Sequence, residues 1–86
     1  MPTISRFYGI SIRMFFNEKH APHFHAVHGE HKALIEVATG AVSAGRLPER
    51  ELRFVRKWAK LHQRELLLNW ERARRTESLL KIDPLK

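Results

Sequence analysis

The chain has 86 residues, a formal net charge of +7, 43% hydrophobic residues and no cysteine. A chain of this length has room for one hydrophobic core, so we expect a single domain over residues 1–86. The hydrophobic fraction argues against intrinsic disorder, and the lack of cysteine excludes disulfide bonds and thiolate-based zinc sites. No apolar stretch reaches the roughly 20 residues of a membrane span and no signal-peptide pattern is found, so we expect a cytoplasmic protein with no membrane partner.

The first half of the chain, residues 1–46, has the pattern of an antiparallel sheet. Polar and apolar residues alternate over residues 9–16, where Ile10 and Ile12 share one face. Because the turns that follow are short and contain glycine or proline, they favour a meander of three to four strands. The further strands are predicted at about residues 23–28, 32–38 and 41–44.

The second half, residues 47–80, has the pattern of helix. Pro48 suits a first helical turn, and acidic residues follow it at the positive end of the helix dipole. Apolar residues then recur at spacings of three and four, which predicts one long helix from about Pro48 to Asn69 and a second helical segment after it. A bend is expected at Asn69, and residues 81–86 are expected to be a frayed tail.

The predicted fold class is therefore α+β, with the small sheet packed against the long helix and the second C-terminal helical segment. The apolar positions that face the interior in this arrangement form the predicted core: Ile10, Ile12, Phe24, Ile35, Val37, Leu52, Val55 and Leu66.

Five of the six histidines lie within twelve residues, and two of them have the spacing of neighbours on one face of a strand. His23 and His25 point to one side of such a strand and Phe24 to the other. Two imidazoles so placed suit proton transfer, phosphate contact or a shared metal ion. A zinc site needs at least a third ligand, which His20, His28 or His62 could supply. Because no established metal motif accompanies the pair, we predict no cofactor, with a metal ion at His23 and His25 as the alternative.

The helical half carries a second polar set, namely Trp58, His62, Glu65 and Asn69, at steps of four, three and four. This spacing places them on one helical face. A histidine with a glutamate three residues later suggests an imidazole oriented by a carboxylate. The structural alternatives are a surface pair worth a few tenths of a kcal/mol, or a core histidine satisfied by hydrogen bonds.

Arg13 interrupts an apolar strand, and its forked donors suit a phosphate or carboxylate, or an ion pair with Glu36. If Phe24 packs beneath the helix, the strand histidines face away from His62. If the histidines face the helix, all of these groups merge into one site. We expect one partly wet pocket, because burying each imidazole separately would need three sets of hydrogen-bond partners.

The predicted catalytic residues are His23, His25, His62 and Glu65. The predicted substrate-binding residues are Arg13, Trp58 and Asn69, and no residue is assigned as a metal ligand.

Basic residues are concentrated in the helical half. Residues 46–77 contain ten Lys or Arg against five Glu. Such an excess favours a polyanion, either nucleic acid or an acidic protein. The alternative is a solvated helix surface with internal ion pairs.

Three separated segments resemble the bacterial domain of unknown function 4160 family. They are the opening Met1-Pro2-Thr3-Ile4-Ser5-Arg6-Phe7-Tyr8-Gly9-Ile10, the run Pro22-His23-Phe24-His25-Ala26, and Leu47-Pro48 followed by Trp58, His62, Glu65-Leu66 and Asn69-Trp70. The resemblance covers residues 1 to about 73. It implies a cytoplasmic toxin component of a toxin–antitoxin pair, held in check by a small antitoxin protein encoded beside it, which we expect to be acidic.

The first function hypothesis is accordingly a toxin-like protein that acts on RNA, or on another phosphate-bearing target, through its histidine-rich site and without a metal ion. The second is a non-catalytic basic binding module for an acidic partner protein or nucleic acid. The third is a small metal-binding protein. The absence of a complete catalytic signature leaves open whether the protein is an enzyme.

Overall fold

The structure is a computed structural model that describes residues 3–16, 18 and 21–86. It has the expected α+β architecture, with strands in the first half of the chain and helices in the second. The elements in chain order are β1 Thr3–Phe7, β2 Ile10–Arg13, β3 His23–His28, β4 His31–Glu36, β5 Val42–Gly45, α1 Glu49–Leu61 and α2 Gln63–Arg74.

The sheet is an antiparallel meander of five strands in the order β1-β2-β3-β4-β5, rather than the three to four that were predicted. The additional strand is β1, which pairs with β2 from Phe7 opposite Ile10. The turn between them contains Tyr8 and Gly9, and both have positive φ, at 50° and 76°. Tyrosine is not a residue that such turns favour, which is why the sequence did not predict this hairpin.

The two faces of the sheet differ sharply in burial. One face is apolar and buried against the helices, and Phe24 packs edge to face on Trp58 of α1 at 5.8 Å between ring centroids. The opposite face, here called the open face, is mostly half-buried or exposed. Cross-strand register places on it Arg6, Ser11, Arg13, His23, His25, Val27, Lys32, Leu34 and Glu36.

The predicted long helix is divided in two. His62 lies between α1 and α2 with φ −118° and ψ 25°, outside helical geometry, so the break falls there and not at Asn69. The apolar spacing of three and four continues across His62, and periodicity therefore did not reveal the break.

The second helix ends at Arg74 rather than near Leu80. Thr76 has φ +54°, and Glu77 N donates to the carbonyl of Arg72 at 2.8 Å while Thr76 N donates to Ala73 at 3.2 Å. These two bonds form a Schellman motif with threonine at the position that glycine usually occupies. Without a glycine, the sequence offered no stop signal at this point.

The predicted core is confirmed, except that Leu52 is only partly buried at its edge. The expectation of a frayed C-terminal tail is wrong. Ile82 is buried, its N–H donates to the carbonyl of Ile4 at 2.8 Å, and the indole of Trp58 donates to the carbonyl of Asp83 at 2.7 Å. The tail therefore packs along β1 and over α1. Among the described residues, no helix is long and apolar enough to cross a bilayer.

Candidate functional site

One carboxylate joins the two strand histidines. Oε1 of Glu18 lies 2.8 Å from Nε2 of His25 and 3.1 Å from Nε2 of His23. One ligand-type atom from each residue lies within 4.8 Å of the other two. These three residues, here called the Glu18 cluster, sit where the β2–β3 connection meets the open face of the sheet.

A backbone carbonyl places one ring proton of His23. Its Nδ1 donates to the carbonyl of Ala21 at 3.0 Å, so the neutral ring carries its lone pair on Nε2, facing Glu18. The ring is 9% exposed and lies 4.9 Å from the ring of Trp70. His23 is therefore held on one side by the main chain and on the other by α2.

His25 is more accessible, with its side chain 25% exposed. The ring of Phe15 packs edge-on against it at 4.3 Å. Arg13 is the cross-strand neighbour of His25 on β2. Nε of Arg13 is buried and has no hydrogen-bond partner among the described residues, and no described contact pairs Arg13 with Glu36. The guanidinium therefore lies beside the cluster without a carboxylate partner in this part of the chain.

A cavity of about 320 Å³ opens beside the cluster. Glu18 and His23 line it together with Leu34, Glu36 and Ser43 from the next two strands, and with Ala21. The cluster thus faces a space large enough for water and a small polar group, and is not sealed in the core.

The predicted His62–Glu65 pair forms, but it is separate from the Glu18 cluster. Nδ1 of His62 donates to Oε1 of Glu65 at 2.6 Å, and the His62 ring lies 5.7 Å from that of Trp58. Since Trp58 packs on Phe24, this pair belongs to the helix side of the sheet. Among the described residues, no hydrogen bond or ring contact links His62 to either strand histidine. The expected single pocket is therefore not found among the described residues: strand alternation directs Phe24 toward α1, and His23 contacts the helices through Trp70 of α2 rather than through His62.

Two of the predicted substrate-binding residues are fully buried. Trp58 fills the core and donates its indole N–H to the tail. The Asn69 amide donates to the carbonyl of Leu80 at 2.8 Å, and its oxygen accepts from Leu80 N at 3.0 Å and from Arg72 at 2.8 Å. The hydrogen-bonding groups of both side chains are occupied by contacts within the chain. Of the three predicted residues, Arg13 alone adjoins the Glu18 cluster.

Neither His28 nor His31 belongs to the Glu18 cluster. His28 contacts the carbonyl of Gly9 at 3.1 Å through Nδ1, and its Nε2 lies 3.8 Å from a carboxylate oxygen of Glu51. His31 is exposed at the start of β4. His20, a candidate third ligand, lies outside the described residues.

The family model described as Domain of unknown function (DUF4160) matches residues 9–71. The chain belongs to this family. Searches of the curated proteins and of the solved structures gave no match. The DUF4160 match contains β2–β5, α1 and most of α2, so the whole Glu18 cluster lies within the shared domain.

Glu18 is the residue of this DUF4160 domain that sequence reasoning missed. It lies in an irregular connection, where no periodicity indicates the direction of a side chain. One signal was present: the chain must return within nine residues from the end of β2 to the start of β3. This brings a carboxylate at Glu18 close to the first residues of β3, which are His23 and His25.

Proposed function

We propose that this DUF4160 domain is the toxin-like component of a toxin–antitoxin pair, and that it acts on RNA in the cytoplasm through the Glu18 cluster. The observation that carries the RNA-directed part is the contact of one carboxylate with two imidazoles at 2.8 and 3.1 Å beside an open cavity. The toxin part rests on the family resemblance.

RNA cleavage without a metal ion needs a base, an acid and a cation around one phosphate. The base takes the proton of the 2′-hydroxyl, whose oxygen attacks phosphorus. The bond from phosphorus to the 5′-oxygen then breaks, and the acid gives that oxygen a proton. The products are a 2′,3′-cyclic phosphate and a free 5′-hydroxyl.

The cluster offers one group for each role. His23 presents the lone pair of Nε2, because its Nδ1 proton is held by Ala21, and it is the proposed base. His25, doubly protonated and held by its hydrogen bond to Glu18, is the proposed acid, because it can give up one proton and become neutral. Arg13, next to His25 on the neighbouring strand, is the proposed cation. His62 and Glu65, on the helix side of the sheet, have no part in this reaction.

The charge of the open face supports the same proposal. Arg6 and Lys32 are exposed and share a cross-strand row with Ser11 and Val27. That row is adjacent to the row of Arg13 and His25. A strand of RNA that reaches the cluster across this face therefore meets cations on its way.

The test is cleavage of total RNA by the purified full-length protein, with and without EDTA. His25→Ala should lower the cleavage rate at least about 100-fold, the usual contribution of a general acid or base. His31→Ala is the matched control, since it removes an exposed imidazole outside the cluster, and it should cleave like the wild type.

Equal cleavage by the wild type and a folded His25→Ala variant would show that the cluster is not the reaction centre. Cleavage that EDTA abolishes would refute the metal-free route.

A second candidate function, a non-catalytic module for an acidic partner protein, is favoured by a different surface. Leu61 and Leu68 on the helices are 66% and 50% exposed. Lys57, Lys60 and Arg64 are exposed, lie within four residues of one of these leucines in the sequence, and form no ion pair among the described residues. The two candidates differ in their need for the histidines: growth inhibition that survives alanine at both His23 and His25 favours the binding module.

A further inference from the structure

The hydrogen bonds of the Glu18 cluster leave one place where two acceptors face each other. The Nδ1 proton of His23 is committed to the carbonyl of Ala21. In the neutral ring, Nε2 therefore presents a lone pair to Oε1 of Glu18, 3.1 Å away, and a carboxylate oxygen is also an acceptor. Such a contact is unfavourable unless a proton or a cation lies between the two atoms.

We infer that the Glu18 cluster is a binding site for a divalent transition-metal ion of the zinc class. The ligands are Nε2 of His23, Nε2 of His25 and Oε1 of Glu18. Neutral imidazole nitrogen and carboxylate oxygen are donors that zinc uses, and three protein ligands are the usual number when a coordination position stays open for water or substrate. This binding does not depend on RNA being the substrate.

The distances between the three ligand atoms are close to those of a tetrahedral zinc site, and small side-chain movements would make them match. Metal–ligand bonds of about 2.0–2.2 Å in a tetrahedron place the ligand atoms roughly 3.4 Å apart. The two distances to the carboxylate, 2.8 and 3.1 Å, need to open slightly, and the histidine nitrogens lie within 4.8 Å of each other. Rotation of the partly exposed Glu18 and His25 side chains supplies this adjustment.

The surroundings also resemble those of metal sites. A histidine that binds a metal through Nε2 commonly donates its Nδ1 proton to a backbone carbonyl, which holds the ring in the correct tautomer. Ala21 provides this contact for His23. The side chains of Glu18 and His25 are 29% and 25% exposed, so an ion can enter from solvent, and the adjoining cavity has room for a bound water.

The His62–Glu65 pair is an internal comparison. It joins the same two residue types at 2.6 Å, yet among the described residues no third ligand accompanies it. A metal ion should therefore select the Glu18 cluster over this pair.

The experiment is isothermal calorimetry of the full-length protein with Zn²⁺, using Glu18→Gln and the matched control Glu65→Gln. Wild type should bind one ion per chain with a Kd far below millimolar. Glu18→Gln should raise that Kd at least about tenfold, and Glu65→Gln should leave it unchanged. Wild-type binding no tighter than about millimolar overturns the inference, as does equal weakening by the two variants.

A second measurement needs no variant and therefore does not depend on how well Glu18→Gln folds. In ¹⁵N NMR of the wild-type imidazoles, Zn²⁺ should shift the Nε2 signals of His23 and His25, keep the Nδ1 proton of His23, and leave His62 unchanged. A shift confined to His62 or to the other histidines would refute the site. Since neither experiment contains RNA, a failure of metal binding is distinguishable from a failure of the proposed RNA cleavage.

Metal binding and metal-free cleavage use the same atoms and exclude each other. The lone pair of His23 cannot accept a proton while it binds an ion. If both proposals hold, Zn²⁺ should inhibit the cleavage that proceeds in EDTA.

Discussion

The side chain of Asn69 acts as a short piece of β-strand. Its amide group donates to the carbonyl of Leu80 and its oxygen accepts from the N–H of the same residue, which is the pair of bonds that a neighbouring strand would form. Arg72 adds a third bond to the oxygen. A buried amide with both ends satisfied holds the backbone of the C-terminal tail against α2.

We therefore predict that Asn69→Ala destabilises the protein by about 2–3 kcal/mol, because it leaves the polar groups of Leu80 without partners in a partly buried place. Urea unfolding followed by circular dichroism measures this. Thr39→Ala is the control: Thr39 also makes two side-chain hydrogen bonds, but it is exposed. The loss of stability caused by Thr39→Ala should stay within about 0.5 kcal/mol. Similar losses of stability in the two variants would show that the hydrogen bonds of Asn69 do not hold the tail in place.

At the scale of elements, the features predicted correctly from the sequence are those that follow from the periodic spacing of apolar and polar residues. The bounds of β3 and the shared face of His23 and His25 follow from alternation, and both are found in the structure. The chain features that were missed depend on single backbone conformations. These are the Tyr8 turn that creates the β1 hairpin, the break at His62 and the threonine at the end of α2. The position of Glu18 was missed for the same reason, since a loop residue has no period.

Gly45, at the end of β5, has another backbone conformation that a substitution can test. Its φ is +75°, and a Cβ built there would lie 2.2 Å from the carbonyl oxygen of Lys32. Gly29 also has positive φ, +59°, but a Cβ there meets nothing within 4 Å. Alanine should cost about 1 kcal/mol at either position through φ, and at Gly45 a further 1–3 kcal/mol through the collision.

Thermal or urea unfolding of Gly45→Ala beside Gly29→Ala separates the contribution of the positive φ from that of the collision with Lys32. The predicted result is a clearly lower stability for the Gly45 variant. If the two variants unfold alike, the close approach of β5 to β4 at this point is not a constraint on the fold.

At the scale of the whole molecule, the sheet separates two basic surfaces with different neighbours. On the open face, Arg6 and Lys32 share a surface with the Glu18 cluster. On the helices, Lys57 and Arg64 are exposed and lie within four residues of the exposed Leu61 in the sequence. The net charge of +7 alone did not distinguish these surfaces, because the division depends on which side of the sheet the helices cover. In the proposed reaction, RNA binds across the open face.

Two double variants of equal net charge test which of the two basic surfaces binds RNA. Arg6→Ala with Lys32→Ala, and Lys57→Ala with Arg64→Ala, each remove two positive charges from the formal +7. We predict that the open-face variant loses more affinity for single-stranded RNA. We also predict that the slope of log K against log salt becomes shallower by about 1.4, from about 0.7 per phosphate contact. Filter binding over a salt series measures both quantities. A greater loss in the helix variant would place RNA on the far side of the sheet from the histidines, and the cluster would then have no access to its proposed substrate.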